Sequence, residues 1–198
     1  MEISATLVKE LREATGAGVL ECRKTLEETK GDMERAVALL KEKGLAKAAK
    51  KAEREVKDGR IEVYGHPGNR VGVLLEVNCE SDFVADTEDF KALVHDLALH
   101  IAFANPRYAR PEDIPAEALE AQRATFHAEA AATGKPANIL DRIVQGKLDK
   151  YFDEVCLLRQ PFVKDDKVKV GDLVTNAIVK MGENVVVRRF VRYELGED

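Results

Sequence analysis

Cys79 is the first residue to weigh as a catalyst, because a thiol becomes a nucleophile when a base stands beside it, and His95 and His100 follow as candidate bases. The pattern points the other way. Cys79 is in phase with Val73, Leu75 and Val77, an alternation that predicts a structural thiol facing the interior from a strand. His95 and His100 miss the i, i+4 spacing that puts two ligands on one face of a helix, so they do not make a metal pair. Cys22, Cys79 and Cys156 are an odd set without a CxxC pair, which predicts reduced thiols and neither zinc nor disulfides. Gly16-Ala17-Gly18 opens like GxGxxG, but Glu21 takes the last glycine position and no strand precedes it. Gly134-Lys135 is followed by Pro136 and Gly146-Lys147 by Leu148, so neither offers the hydroxyl of a phosphate loop. These failures predict a chain with no catalytic residue, no cofactor and no metal.

One aromatic residue stands apart. Phe83 follows Asp82 in the hexapeptide Ser81-Asp82-Phe83-Val84-Ala85-Asp86, between a strand pattern and a helix pattern. Held rigid from both sides, such a ring can be an exposed anchor for a partner. Alternatively, Phe83 and Val84 plug the corner from inside. The residue type alone favours the plug, because phenylalanine is usually buried.

The elements that position this turn are legible from periodicity. Ser4 can cap a helix carrying Leu7 and Leu11, which Gly16 ends. Val19, Cys22 and Leu26 mark a second helix that stops near Gly31, and a third begins at Asp32, carries Ala36, Val37 and Leu40, and stops at Gly44. The stretch from Leu45 to Lys57 reads as a helical linker rich in Ala and Lys, its basic face either solvated or turned to RNA or an acidic surface. After Gly59 the period becomes two. A hairpin turns at His66-Pro67-Gly68-Asn69 between Ile61-Val63 and the run Val71 to Cys79. Phe90, Leu93, Val94, Leu97 and Ile101 then form an amphipathic helix that Asn105-Pro106 ends. Further helices are predicted over Pro115–Thr133, Pro136–Gln145, Lys147–Leu157 and Asp172–Met181, the last closed by Gly182. Asn184 to Tyr193 reads as a strand that extends the hairpin to a three-stranded antiparallel sheet. The fold class is α+β. The predicted division is a three-helix domain over 1–44, a helical linker over 45–58 and an α+β core over 59–198.

Composition bounds the partners. The 198 residues are 45% hydrophobic and 34% charged, which suits a soluble globular chain, and no apolar run approaches the roughly 20 residues of a membrane span. The opening residues lack the order of a secretory signal, so the cytoplasm is the expected compartment. The net charge of −5 divides as +2 over residues 1–60, −7 over 61–160 and 0 over 161–198. An acidic middle argues against direct nucleic-acid binding, whose affinity comes from many Lys and Arg contacts. A protein partner is expected.

Two segments identify the family. Leu11-Arg12-Glu13-Ala14-Thr15-Gly16-Ala17-Gly18-Val19-Leu20-Glu21-Cys22-Arg23-Lys24-Thr25-Leu26 and Glu76-Val77-Asn78-Cys79-Glu80-Ser81-Asp82-Phe83-Val84-Ala85 closely resemble the two signatures of the elongation factor Ts family. The likeness extends through the Ala/Lys linker and Pro161-Phe162-Val163 to Gly182-Glu183-Asn184-Val185-Val186-Val187-Arg188-Arg189. The resemblance implies a guanine-nucleotide exchange factor that binds elongation factor Tu and promotes GDP release, with no chemistry of its own. It implies that the N-terminal bundle is like a ubiquitin-associated domain and docks through Val19 and Leu20. It also implies that Ser81, Asp82, Phe83 and Val84 form the second contact, with Asp82 and Phe83 reaching towards the partner's magnesium and phosphate site. The alternative is a binding module without exchange activity, which recruits its partner through the bundle alone.

The chain departs from the family pattern in places. Ser81 replaces the usual Thr and keeps the capping hydroxyl. Asp86 stands where a basic or amide residue is common, while Arg23 and Thr25 replace Lys and Ala. Longer members carry two core subdomains and a coiled-coil insertion, whereas this length leaves room for one core copy. The resemblance therefore implies a homodimer through the core sheet, with the strand at 184–193 as its seam.

Overall fold

The computed structural model describes residues 3–132, 134 and 136–197, so Thr133 and Lys135, on which two of the expectations above touch, lie outside the described residues. The architecture is α+β, as predicted. The chain divides into two compact units: Met1–Glu62, Leu75–Asp96 and Asp172–Arg188 form the first, and Val63–Leu74, Leu97–Gly171 and Arg189–Asp198 form the second.

The first unit begins with α1 (Ala5–Thr15), α2 (Val19–Glu28) and α3 (Met33–Lys51). Ser4 Oγ caps α1 by accepting the Leu7 N–H at 3.2 Å, and Gly16 ends it at φ 68°, where a Cβ would be strained. Val8, Leu11, Cys22, Leu26, Ala36 and Leu40 make the bundle's core. Thr25 adds a buried hydroxyl without a hydrogen-bond partner among the described residues, a cost that an alanine there would not carry.

The expected end of the third helix at Gly44 is corrected: α3 continues to Lys51. Gly44 is buried, and a Cβ there would meet Val179 Cγ2 at 3.6 Å, so the glycine marks packing against the helix that follows Lys169 rather than a chain reversal. Residues 45–51 of the expected linker are thus the last turns of α3. Of that linker's cations, Lys47 pairs with Glu21, Arg54 with Glu80 and Lys57 with Glu55, while Lys41 and Lys43, earlier in α3, pair with Asp172 and Glu28.

Strands β1 (Asp58–Gly65), β2 (Val71–Cys79) and β5 (Val185–Glu194) form an antiparallel sheet in the order β1-β2-β5. Val73, Leu75, Val77 and Cys79 alternate into the interior as their spacing predicts. Along β5 the burial phase slips at the consecutive exposed pair Arg188-Arg189. A single-turn helix α4 (Asp82–Ala85) and α5 (Glu88–Ala104) follow β2, and α8 (Val170–Met181) precedes β5, closed by Gly182 at φ 78°.

In the second unit, α6 (Ala116–Ala131) and α7 (Ala137–Val155) pair as an antiparallel helical hairpin. One expectation falls here. The separate helices placed on either side of Gly146 are one helix, because Gly146 faces solvent and a single glycine costs a helix only about 1 kcal/mol. Ala130, Val144 and Leu148 give this hairpin a small core of its own. A second, two-stranded sheet, β3 (Pro161–Phe162) with β4 (Asp165–Lys169), was not predicted: two residues carry no periodicity, and the five of β4 are almost all exposed polar ones without apolar alternation.

His100, also in this unit, is buried and held neutral. The Val163 N–H donates to its Nδ1 at 3.2 Å, which leaves the ring proton on Nε2, 3.0 Å from Gln160 Oε1. Burial lowers its pKa from the ordinary 6.5, partly offset by Gln160. The unfolded chain takes up a proton as pH falls through about 6.5 and the folded chain only lower, so stability declines on acidification, by at most about 1.4 kcal/mol per pH unit. Thermal unfolding between about pH 7.5 and pH 5.5 checks this: the decline should be shallower in His100→Gln, whatever that variant's absolute stability.

Candidate partner-binding site

The second signature turns a strand into a helix within a few residues. At the end of β2, the buried Cys79 donates its Sγ–H to the Ser81 carbonyl at 3.1 Å. Ser81 is extended, at φ −136° and ψ 155°, and its Oγ accepts the Val84 N–H at 3.4 Å as the N-cap of α4. Asp82 Oδ1 accepts the Phe83 N–H at 2.7 Å, and the Asp82 carbonyl accepts the Asp86 N–H at 3.0 Å. Thr87 Oγ1 then donates to the Val84 carbonyl at 2.7 Å and accepts the Phe90 N–H at 3.2 Å, joining the end of α4 to the start of α5.

This geometry separates the two residues that the sequence could not. Val84, at 7% exposure, is the internal plug; Phe83, one position earlier, is 80% exposed. Ala85 is buried beside Val84, and the short helix therefore presents Asp82 and Phe83 outward from a base fixed by apolar contact. A phenylalanine so exposed gains nothing from the hydrophobic effect in the free protein.

A residue that the local reading passed over holds the turn. Glu183, at the start of the chain's return into β5, accepts the N–H of Glu80 and of Ser81 through Oε2, each at 3.0 Å, and the Ser81 hydroxyl through Oε1 at 2.6 Å. Glu80 reciprocates: its Oε1 accepts the Asn184 N–H at 2.6 Å and lies 3.5 Å from Arg54. The Asn184 side-chain amide donates to the carbonyls of Ala52 and Arg54, just beyond α3. No motif spacing exposes a partnership across about a hundred residues of chain.

The first signature gives a different surface in the same unit. Gly18 stands as N-cap without a side-chain bond, and the first turn of α2 exposes Val19 at 51% and Leu20 at 77%. Beside Val19 is a cavity of about 270 Å³ with Ile3 and Val8 in its apolar lining and Lys9, Arg12 and Arg23 as its basic groups. Arg23, one of the family departures, also pairs with Glu27. The chemistry available at both surfaces is contact and charge.

Cys79 carries the structural reading. It is fully buried, and burial, reinforced by the Glu183 carboxylate, pushes its thiol up to about 11, so little thiolate exists at neutral pH. Cys156 is likewise buried and pushed up to about 11. Among the described residues, no cluster of His, Cys, Asp or Glu could hold a metal ion, and no helix is long and apolar enough to cross a membrane.

A sequence model described as Elongation factor TS matches residues 2–197. The chain belongs to the elongation factor Ts family. It is 55% identical over 198 residues to the elongation factor Ts of Herpetosiphon aurantiacus, with the whole of both chains covered. Identity to the elongation factor Ts of Heliobacterium modesticaldum is 55% over 195 residues, covering 98% of this chain and 91% of that one. For the elongation factor Ts of Carboxydothermus hydrogenoformans it is 53% over 195 residues, covering 98% and 90%. As a member of the elongation factor Ts family, the chain is a translation elongation factor.

Proposed function

We propose that this elongation factor Ts chain binds elongation factor Tu and accelerates its release of GDP, working in the cytoplasm without a catalytic residue. The observation that carries the reading is Phe83, 80% exposed on a one-turn helix whose backbone is tied down on both sides. A partner that binds the nucleotide-free GTPase more tightly than its GDP form weakens GDP by the same factor, with each 1.4 kcal/mol of coupling worth about tenfold. If the ring is buried only when elements of the GTPase shift, its transfer from water, worth roughly 1.5–3 kcal/mol, stabilises the displaced state selectively. Magnesium demands near-ideal octahedral coordination, so a small displacement loosens the metal and then the phosphates. Asp82, one oxygen of which already holds the turn, acts by accepting a donor of the partner or by repelling phosphate oxygens.

Residues 1–44 serve as the docking module, with Val19 and Leu20 as its contact, and the core over 59–198 delivers Phe83. The reading is tested by release of fluorescent GDP from purified elongation factor Tu, with the wild-type chain and with Phe83→Ala. Failure of the wild type to accelerate release would leave the non-exchange binding module as the better account.

We also infer a homodimer through the core sheet. Within the second unit, Val63, Leu74, Val191 and Tyr193 on all three strands are exposed, Val63 at 79% and Tyr193 at 74%. Contiguous exposed apolar side chains of this kind mark interaction surfaces. The seam then uses side chains on the sheet as well as the edge of β5. Sedimentation equilibrium should show a dimer that Tyr193→Glu weakens; a wild-type monomer at micromolar concentration would refute it.

A further inference from the structure

We propose that Glu183 is the positioning residue of the exchange element: its carboxylate sets the orientation of the Ser81–Phe83 turn, and through it the rate at which Phe83 can drive GDP release. The proposal rests on the exchange reading above and assigns a role to a residue in neither partner contact.

The turn has backbone donors that regular structure leaves unpaired. An extended residue between the last pair of a strand and the first turn of a helix leaves its N–H without a regular backbone partner, and the first N–H groups of any helix are orphaned as well. Here the N–H groups of Glu80 and Ser81 both point at one carboxylate oxygen of Glu183, at 3.0 Å each, and the Ser81 hydroxyl donates to the other at 2.6 Å. The hydroxyl oxygen is then oriented with its lone pairs towards the Val84 N–H, which it accepts at 3.4 Å. Glu183 thus fixes the cap, and the cap fixes the four-residue helix that carries Phe83. Hydrogen bonds to an ionised acceptor are among the stronger ones in proteins.

The carboxylate is itself well placed. Gly182 reverses the chain after α8, and the Asn184 amide bonds on either side of it, through its N–H to Glu80 and through its side chain to Ala52 and Arg54. The bonds therefore run both ways across the gap: Glu183 accepts the N–H groups of Glu80 and Ser81, and Glu80 accepts the N–H of Asn184, the residue after Glu183. Phe83 is 80% exposed, so its direction is set chiefly through the backbone of the turn and little by contacts of the ring. Apolar packing of Val84 and Ala85 seats the turn; the Glu183 bonds set its angle.

Steady-state GDP release from purified elongation factor Tu, measured over a range of concentrations of the full chain, tests this. Glu183→Ala should lower the maximal rate about tenfold while the half-saturating concentration stays within about twofold, since docking through Val19 and Leu20 is intact. In a Phe83→Ala background the same substitution should cost less than about twofold, because there is no ring left to aim. Glu183→Gln should recover to within about threefold: its single carboxamide oxygen can accept both N–H groups and its NH₂ can donate to Ser81 Oγ. Amide hydrogen exchange at Glu80 and Ser81 should accelerate about tenfold or more in Glu183→Ala and remain slow at Leu75 in β2, which separates a local effect from general loosening.

An unchanged rate in Glu183→Ala overturns the proposal, as does an equal loss in both backgrounds, which is what mere destabilisation would give. Unchanged exchange at Glu80 and Ser81 overturns it too. If the wild-type chain does not accelerate release, the exchange reading fails and this role falls with it. If the wild type accelerates release, Phe83→Ala does not, and Glu183→Ala is normal, only the positioning role is lost.

Discussion

Replacing Phe83 by alanine should slow stimulated GDP release about ten- to a hundredfold while changing the stability of the free chain by no more than about 0.5 kcal/mol. The two halves of this expectation have one cause. In the free protein the ring is 80% exposed, so truncation removes little packing and the fold keeps its stability. On the proposed reading the ring is buried in the complex, and the lost transfer energy of roughly 1.5–3 kcal/mol then corresponds to that range of rates. The concentration dependence says where the energy is used. If the ring is buried only as GDP leaves, the maximal rate falls and the half-saturating concentration holds; if the ring merely helps docking, the reverse is seen. Phe83→Leu should lie between wild type and alanine. A normal rate in Phe83→Ala would remove the central claim, and a slow rate accompanied by loss of fold would leave it without support.

Gly59→Ala should destabilise the chain by roughly 3 kcal/mol or more, measured by chemical denaturation. Gly59 lies in β1 at φ 147°, and a Cβ there would come within 2.2 Å of the Val77 carbonyl oxygen and 2.7 Å of Asn78 Cα. Both are backbone atoms of the neighbouring strand, so neither can rotate away. The strand must move instead, and the stretch displaced is Val77 to Cys79, which leads into Ser81. Asn78 compounds the effect, because its side-chain amide donates to the Asp58 carbonyl at 3.2 Å and fastens the same two strands. Gly146→Ala is the internal control with the opposite sign. Gly146 is in the middle of α7 with open space where a Cβ would be, so alanine should stabilise the protein by about 1 kcal/mol. Equal and small effects at both glycines would refute the close-approach argument.

The glycines near helix ends show why element boundaries were only partly legible. Gly16 and Gly182 end helices at positive φ, as their positions after periodic runs predict. Gly44 and Gly146 look the same in sequence yet lie within α3 and α7. The difference is in the neighbours: packing beside Val179 in one case and solvent in the other, with helical pairing continuing past both. Periodicity located the three strands of the main sheet, because one face of each strand must be apolar over several residues. It did not locate β3, whose two residues are too few to show any period, nor the phase slip at Arg188-Arg189.

The candidate site divides in the same way. The family resemblance marked Ser81 as a cap, and the bond from the Val84 N–H three residues on places it there. Local order was enough to make Cys79 a structural thiol, because strand alternation places its side chain inward. The choice between Phe83 and Val84 as the corner plug was not available locally: the two are adjacent apolar residues, and only the rotation of α4 on its base decides which is covered. Glu183 was beyond local reasoning altogether, since its partners Glu80 and Ser81 are brought to it by the return of the chain through α8.

By itself, then, the amino-acid sequence determined the α+β class, the order of most elements, the family and the residues worth testing, because these follow from short-range periodicity, capping and contiguous motifs. The tertiary structure alone decided that Val84 is enclosed beneath an outward Phe83, whose exposure only the family resemblance had implied, that α3 and α7 run through their glycines, and that Glu183 fastens the turn. Those outcomes depend on which surfaces meet after the chain has folded, and spacing along the chain carries no record of that.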